Sequence, residues 1–326
     1  MGLILIFIEK AIGQGIAILY GAMGEILTEK SGNLNLGIPG VMYMGGIAGL
    51  IGAFLYEGST ENPNPLIGFL ISLVCAVLCG ALGGLIYSFL TITLRVNQNV
   101  TGLALTTFGT GFGNFFGSSL AKLAGGAGQI SVAVTASAYR TGIPGLKDIP
   151  VIGELLFSYG FLTYLAIAIA IVMSWFLFKT RKGLNLRAVG ENPGTADAAG
   201  INVTKTKYYA TVIGSAIAGL GGLFFVMEYS GGTWTNNGFG DRGWLAIALV
   251  IFALWKPVNA IWGSMIFGAL YILYLYIPGL TRDTQEIFKV LPYLVTIIVL
   301  VFTSMRQRRE DQPPASLGLP YFREER

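Results

Sequence analysis

The sequence contains no histidine, and this absence removes histidine as a metal ligand, a general base or a proton relay. Its only two cysteines, Cys75 and Cys79, lie in one apolar stretch and are too few for a zinc site, so we expect them to pack. Charged residues make up 12% of the chain. Soluble domains carry about 25%. This scarcity argues against a soluble protein.

The chain is instead rich in apolar residues, with 53% hydrophobic residues, 46 glycines and a mean hydropathy of +0.66. This composition is typical of an all-α polytopic membrane protein, in which glycine allows close helix packing. Uncharged windows predict about nine spans, several of them shorter than the ~20 residues of a full crossing and therefore broken or re-entrant. The windows are 11–28, 39–56, 66–94, 99–120, 157–178, 207–229, 243–255, 258–277 and 290–304.

The distribution of Lys and Arg predicts the orientation of these spans, because cytoplasmic loops carry an excess of basic residues. If the basic loop 179–207 is cytoplasmic, alternation places 14 basic residues inside and 7 outside. The N-terminus is then outside and the C-terminus inside. The acidic loop 57–65 falls outside, which agrees with this assignment.

The predicted organisation is one transmembrane domain over 1–305 and a cytoplasmic tail over 306–326, whose polar composition predicts disorder. Segment 121–156 is rich in Gly, Ala and Val, and we expect a short extracytoplasmic helix or an ordered cap there. The first four spans would start outside and the last four inside. That pattern suggests an inverted repeat, as a hypothesis from hydropathy.

The stretch 190–201 (GENPGTADAAGI) is the most informative part of the basic loop. Asn192 can cap a helix, Pro193 suits the first helical position and Gly200 can end it. A helix of small residues at a membrane surface offers a docking point for a soluble cytoplasmic partner. This favours a subunit of a powered transporter. The residues predicted to couple to the partner are Glu191, Asn192, Pro193, Thr195, Ala196, Ala198 and Gly200.

The stretch 24–40 is a polar interruption between the first two apolar windows. Unwound backbone at membrane depth needs protein or a water-filled cavity to satisfy its polar groups. Asn33 and Asn35 are candidates for hydrogen bonds to a polar solute or to that backbone, and the alternative is that they cap helix ends. Glu25 and Glu29 are predicted to be surface charges at the cytoplasmic boundary, and the alternative is that they pair locally with Lys30.

The fourth span combines glycines with aromatic and amide side chains. Asn99, Phe112, Asn114 and Phe115 are candidates for a pathway that admits a ring-shaped solute. Glycine-driven helix packing explains the same pattern equally well, and Asn99 could instead cap the helix.

The loop 228–242 follows another span and is predicted outside. Ordinary turn chemistry accounts for its composition, and the alternatives are an inward-folded gate or a contact for a solute-delivering protein. Asp241 and Arg242 are candidates for a local ion pair.

The sequence lacks the residues that several classes of function require. The chain has no Gly-x-x-x-x-Gly-Lys-[Ser/Thr] phosphate loop, so ATP-derived energy would have to come from another chain. No nucleophile–base pair and no metal cluster is evident, so we predict no catalytic and no metal-binding residues. No paired carboxylates are evident in mid-span, which argues against a proton-coupled carrier. The net charge of +4 does not indicate nucleic-acid binding.

Three stretches resemble the permease subunits of bacterial ABC importers, in the family that serves branched-chain amino acids, simple sugars and nucleosides. They are Gly24–Gly40 (GEILTEKSGNLNLGIPG), Arg95–Leu105 (RVNQNVTGLAL) and Arg187–Ile201 (RAVGENPGTADAAGI). The similarity is strongest to the shorter nucleoside-type permease, which pairs with a longer homologous one. Pro39 departs from the pattern, since many relatives are expected to have an acidic residue there, and so does the long apolar segment 121–156.

The resemblance implies a complex in a bacterial plasma (inner) membrane. Its parts would be two permease subunits forming a heterodimer, ATP-binding subunits that hold ATP and magnesium, and an extracytoplasmic solute-binding protein. The 192–200 helix would dock on the ATPase, and the chain itself would do no bond chemistry. A nucleoside is the first expected solute, followed by a simple sugar or a riboflavin-like compound, with branched-chain amino acids last. A stand-alone secondary carrier is the alternative outside the family, followed by an intramembrane enzyme.

Replacing Ala196 or Ala198 by a bulky charged residue is predicted to abolish ATPase docking and to leave membrane insertion intact. The added side chain would collide with a closely apposed partner. Co-purification of the ATPase with the tagged variant measures docking, and normal co-purification would remove the coupling assignment.

Overall fold

The computed structural model describes residues 2–123, 130–142, 153, 157–306 and 311–323, and within them the protein is helical. The helices are α1 (Gly2–Glu29), α2 (Ile38–Ser59), α3 (Pro65–Ser88), α4 (Gln98–Leu123), α5 (Ala133–Tyr139), α6 (Phe161–Lys179), α7 (Arg181–Glu191), α8 (Pro193–Ala198), α9 (Val203–Phe224), α10 (Arg242–Phe252), α11 (Pro257–Ile272), α12 (Arg282–Lys289) and α13 (Leu291–Arg306). The π-helical turns Phe89–Thr93 and Phe225–Tyr229 extend α3 and α9, and the 3-10 turn Leu273–Tyr276 extends α11.

The expectation of an all-α membrane protein is confirmed, but the count of nine spans is not. Among the described residues, 7 helical segments are long and apolar enough to cross a membrane: Ile4–Glu29, Ile38–Ser59, Pro65–Thr93, Phe161–Lys179, Val203–Tyr229, Pro257–Tyr276 and Asp283–Phe302. The window 99–120 corresponds to α4, which has 26 residues but is less apolar. The window 243–255 corresponds to α10, which has 11 residues. Such a helix is about 16 Å long and too short for a ~30 Å hydrocarbon core. The inverted repeat and the orientation stay predictions.

Helices α1, α2 and α9 form the centre of the bundle. In the apolar windows of α2 and α9, 78% of the residues are buried, against 28% in the span that contains α3. Glycines bring these helices into backbone contact: a Cβ at Gly45 or Gly222 would lie under 3.0 Å from the backbone of the facing helix. Such close approach compensates for the weak hydrophobic driving force between helices in lipid.

The end of α1 at Lys30, the basic loop 179–207 and the tail 311–323 are assigned to one side by the distribution of Lys and Arg, and they meet at one end of the bundle. We call this end the α8 end. Any side chain at position 190 would collide with the carbonyl of Lys30, because its Cβ would overlap the carbonyl oxygen. The residues 311–323 reach the same place, where Asp311 forms an ion pair of 2.7 Å with Lys256. The structure therefore groups these segments as predicted, and the assignment of this end to the cytoplasm remains a prediction.

The opposite end contains the predicted short helix of segment 121–156. Helix α5 occupies 133–139, and the backbone N–H of Thr135 donates to Glu57 Oε1 at 2.7 Å. Residues 124–129, 143–152 and 154–156 of that segment lie outside the described residues. Its extracytoplasmic location stays a prediction.

The loop 230–241 folds inward at this opposite end. Trp234 is 5% exposed and packs on α4, where a Cβ at Gly117 would overlap the indole ring. The predicted ion pair between Asp241 and Arg242 is wrong, because Arg242 turns into the bundle, donates to Gln14 Oε1 at 2.8 Å and lies 4.7 Å from the Phe225 ring centroid. The aromatic faces and carbonyls there offer the guanidinium more partners than an exposed carboxylate would.

Two glycines of α4 test the packing role of this residue type. A Cβ at Gly109 would lie under 3.0 Å from the backbone of Gly40 in α2, whereas a Cβ at Gly111 meets nothing within 4 Å. Gly109→Ala is expected to destabilise the protein by about 1–3 kcal/mol because the helices must separate. Gly111→Ala should be neutral or slightly stabilising. Thermal unfolding midpoints in detergent measure both, and equal midpoints would contradict the packing argument.

Candidate functional site

Helix α8 has the ends that its sequence predicts. The side chain of Asn192 accepts from the backbone N–H of Thr195 at 3.0 Å, and Pro193 occupies the first helical position. At the other end Gly200 has φ +84°, and the N–H of Ile201 reaches back to the carbonyl of Ala196 at 3.0 Å. This is the left-handed glycine termination called a Schellman motif. The helix is thus defined by local sequence.

The two faces of α8 differ in burial. Ala196 is 3% exposed and packs with Val189 and Val203 in a small apolar cluster that also contacts Tyr321 of the tail. Thr195 and Ala198 are exposed, as are Glu191 and Asn192. Ala196 therefore holds the helix in place, and the surface open to a partner is the face with Ala198.

Helix α7 rests directly on the turn after α1. Gly190 lies against the carbonyl of Lys30, and the left-handed turn at Gly32 has φ +89°. Any side chain at Gly190 would push α7 away from this turn. Because α8 follows α7 after one residue, the helices α7 and α8 and the break between α1 and α2 form one contiguous unit.

The tail residues 311–323 pack on this unit, so the prediction of disorder is wrong for them. The N–H of Ser316 donates to the Gly190 carbonyl at 3.0 Å, and the N–H of Gly318 donates to the Gly32 carbonyl at 3.2 Å. The Tyr321 hydroxyl donates to Asp197 Oδ2 at 2.8 Å. Composition predicts disorder because the tail has little apolar surface, but backbone and charge partners on α7 and α8 order it.

The Lys30 ammonium group lies within the same unit. Lys30 is 8% exposed, and its Nζ is 6.0 Å from the centroid of the Trp255 ring. Burial lowers the pKa of Lys30 to about 8, an effect that Glu191 opposes and Arg187 reinforces. Charges of both signs in the basic loop 179–207 therefore act on the residue that follows α1.

The break 30–37 is buried, and side chains satisfy its backbone. The N–H of Asn35 donates to Glu25 Oε1 at 2.8 Å, and the N–H of Leu34 donates to Gln98 Oε1 at 2.7 Å. The Leu34 carbonyl accepts from the Tyr87 hydroxyl, and the Leu36 carbonyl accepts from Thr106 at 2.7 Å. Helices α1, α3 and α4 thus hold the unwound segment in one conformation.

The prediction that Glu25 and Glu29 are surface charges is wrong. Glu25 is 0% and Glu29 3% exposed, Glu25 accepts from the Asn35 N–H, and Glu29 accepts from the Trp255 indole N–H. Their spacing of four residues on one helix face was a usable signal. Both residues lie in the last turns of the span Ile4–Glu29, so the argument from missing carboxylates in mid-span is unchanged.

Asn33 and Asn35 lie inside the break. Asn35 Oδ1 accepts from the Gly37 N–H at 2.9 Å, so it bonds to the backbone of the break and does not cap α2, whose N-cap is Gly37. Asn33 Nδ2 donates to Thr211 at 3.2 Å. Their other amide atoms, Asn33 Oδ1 and Asn35 Nδ2, are buried without a hydrogen-bond partner.

Helix α4 has two different faces. Gly109, Gly113 and Gly117 face α2 or the 230–241 loop, while Asn99 and Phe115 are exposed and Phe112 is half-buried. Asn114 is held by the loop, where its Nδ2 donates to Asn237 Oδ1 at 2.8 Å. The structure does not bring Phe112–Phe115 together with Asn33 and Asn35, which lie beside the start of α4.

Comparison with known proteins gives a family match along most of the chain. The pattern of the family described as branched-chain amino acid transport system, permease component, matches residues 7–300. No solved structure matches the chain.

Individual relatives carry transport names. The guanosine ABC transporter permease protein NupQ of Bacillus subtilis is 34% identical over 94% of this chain and 92% of its own. The nucleoside ABC transporter permease protein NupC of Lactococcus lactis is 30% identical over 87% of both chains. The putative glucose ABC transporter permease protein TsgC13 of Haloferax volcanii is 32% identical over 89% of this chain and 88% of its own.

The role of Glu25 in holding the break can be tested with a matched pair of substitutions. Glu25→Ala leaves the buried N–H of Asn35 without an acceptor and is expected to cost about 1–3 kcal/mol. Glu25→Gln keeps an acceptor oxygen for the Asn35 N–H, so we expect it to remain close to wild type. Thermal unfolding in detergent measures both, and an alanine variant as stable as the glutamine variant would contradict the assignment.

Proposed function

Because the chain belongs to the branched-chain amino acid transport system permease family, we propose that it forms the translocation path of an ATP-driven importer for nucleosides. The observation that carries the proposal is similarity over nearly the whole length to two permeases named for guanosine and nucleoside transport. A permease subunit transports and performs no catalysis. The seven apolar helices fit a multi-pass protein of the inner membrane.

The proposed pathway runs along the exposed face of α4. This helix is long enough to cross a membrane but less apolar than the seven spans, so lipid is a poor environment for it. Its exposed Asn99 and Phe115, with Phe112 and Asn114 beside them, offer amide and aromatic groups to a solute with a planar ring.

A second permease would face α4 across this pathway. The similarity of the chain extends to a second B. subtilis guanosine permease, NupP, and to a second L. lactis nucleoside permease, NupB. The match to NupB covers 87% of this chain but 75% of NupB, so that relative is longer. Each of these two organisms thus has two different permeases that are named for transport of the same solute. This supports a heterodimer of two permeases.

Coupling to a separate ATPase would use the exposed face of α8: Glu191, Asn192, Thr195 and Ala198. In the proposed complex the ATPase holds ATP and magnesium. Displacement of α8 would pass through the contact of Gly190 with Lys30 to the break between α1 and α2. Close-packed backbone transmits such a displacement without taking it up in side-chain rotations.

Direction and delivery complete the proposal. An extracytoplasmic solute-binding protein would deliver the solute at the end opposite to α8, where α5 and the 230–241 loop cover the bundle. A simple sugar is the second candidate solute, because the putative glucose permease of H. volcanii is as similar to this chain as the nucleoside permeases are.

Ala198→Glu is the substitution that tests coupling. It places a charge on the exposed face of α8 and is expected to reduce ATPase co-purification and ATP-dependent uptake at least about tenfold, a loss of ~1.4 kcal/mol or more in binding. Ala198→Ser adds little volume and should retain both. Pull-down and vesicle uptake measure the effect.

The control variants for Ala198→Glu separate docking from folding. Ser59→Glu introduces the same side chain at an exposed position of the opposite end and should not affect docking. Ala196→Glu is expected to destabilise the folded chain, because Ala196 is buried. Normal docking of the ATPase on the Ala198→Glu variant would contradict the assignment of α8 as the docking helix.

Purification of the tagged chain from its native membrane tests the complex as a whole. We expect mass spectrometry to find an ATP-binding subunit and a second permease, and the reconstituted complex to take up guanosine in competition with other nucleosides but not with glucose. Competition by glucose alone would favour the sugar permease. Uptake by the isolated chain without ATP would favour a secondary carrier.

A further inference from the structure

A cavity of about 130 Å³ lies at the α8 end, between the first turn of α9, the break and the tail. Its charged lining consists of Arg95, Lys207, Arg323 and one carboxylate, Asp197. Asp197 Oδ2 already accepts from Tyr321 at 2.8 Å and from Arg323 at 3.3 Å. The cavity therefore has a surplus of positive charge with no anion to balance it among the residues that the structure describes.

The central observation is the burial of Lys207 in the lining of this cavity. Its side chain is 3% exposed, and no described residue forms a hydrogen bond or an ion pair with its ammonium group. The Nζ lies beside Gly32, 3.6 Å from where a Cβ would stand. A buried ammonium group without a counter-ion loses its hydration with nothing in return. An anion in the cavity would supply the missing partner.

Several neutral groups that line the cavity can also donate hydrogen bonds, whereas Asn33 Oδ1 in the same wall is an acceptor without a partner. Val203 and Thr204 line the cavity at the start of α9, where the first backbone N–H groups have no acceptor within the helix. Gln98 also lines it, and since its Oε1 accepts from Leu34, its amide N–H groups remain for the cavity. A helix N-terminus with Lys and Arg beside it is the arrangement that binds phosphate.

We propose that this cavity binds a phosphate group, held by Lys207, Arg95 and the first turn of α9. Its volume is several times the ~30 Å³ of a water molecule and well below the ~300 Å³ of the smallest organic-ligand pockets, so it suits an ion rather than the transported solute. The group belongs to free phosphate or to an anionic phospholipid headgroup, which present the same oxyanion. This inference does not depend on the proposed transport function.

Occupancy of the cavity has a structural consequence. The tail forms one wall through residues 320–323, and the break forms another through Asn33. A bound phosphate would connect Arg323 of the tail and Lys207 of α9 through a single ion. Phosphate binding should therefore stabilise the arrangement of the tail on α8.

Binding of radiolabelled inorganic phosphate to the full chain in phosphatidylcholine nanodiscs tests the free-ion source. Native mass spectrometry of the chain from nanodiscs that also contain phosphatidylglycerol tests the lipid source. The variants are Lys207→Gln and Arg95→Gln. The matched control is Lys205→Gln, which removes the same charge from an exposed position of α9 outside the cavity. Arg95 is also exposed, so its variant remains informative if Lys207→Gln fails to fold.

We expect saturable binding of one phosphate or one retained phosphatidylglycerol in the wild type and in Lys205→Gln, weakened at least about tenfold in Lys207→Gln and Arg95→Gln. Binding of phosphate assigns the free ion, and retention of the lipid alone assigns the headgroup. Binding of neither probe overturns the proposal. So does equal weakening by Lys205→Gln, which would indicate general charge attraction, or unchanged binding in the cavity variants.

Discussion

The need to satisfy backbone polar groups where the chain leaves the helical conformation inside the bundle governs this structure. Residues 30–37 are mostly buried, so protein groups have to satisfy most of their N–H and C=O groups. Glu25 therefore turns inward to accept from Asn35, and Gln98 is buried at the start of α4 to accept from Leu34. The positions of α1, α3 and α4 around the break follow from these bonds.

The same unit extends outward by backbone contact. Gly190 allows α7 to rest on the turn after α1, and α8 follows within one residue. The tail then forms hydrogen bonds to α7 and to the turn after α1. Ser316 donates to Gly190, and Gly318 donates to Gly32. Three regions that are distant in sequence, the break, the helices α7 and α8, and the tail, thus pack together at the α8 end. A transporter needs such contacts wherever a surface event has to reach a buried element.

Local sequence predicted what local interactions determine. The cap of Asn192, the position of Pro193 and the left-handed turn of Gly200 all arise within ten residues, so α8 could be predicted. The burial of Glu25 and the order of the tail depend on residues elsewhere in the chain, and composition misjudged both. Lys207 was counted only as a basic residue of a cytoplasmic loop, because nothing in the sequence says that its side chain is enclosed.

The position of the tail in the chain also determines the order in which parts of the bundle can form. Residues 311–323 follow every described span in the chain, so they are synthesised after those helices. The hydrogen bonds to Gly190 and Gly32 can close only then. The α8 end is consequently the last part of the bundle to reach its final form. A chain interrupted before residue 311 would lack the hydrogen bonds of the tail to Gly190 and Gly32, so this surface would stay incomplete.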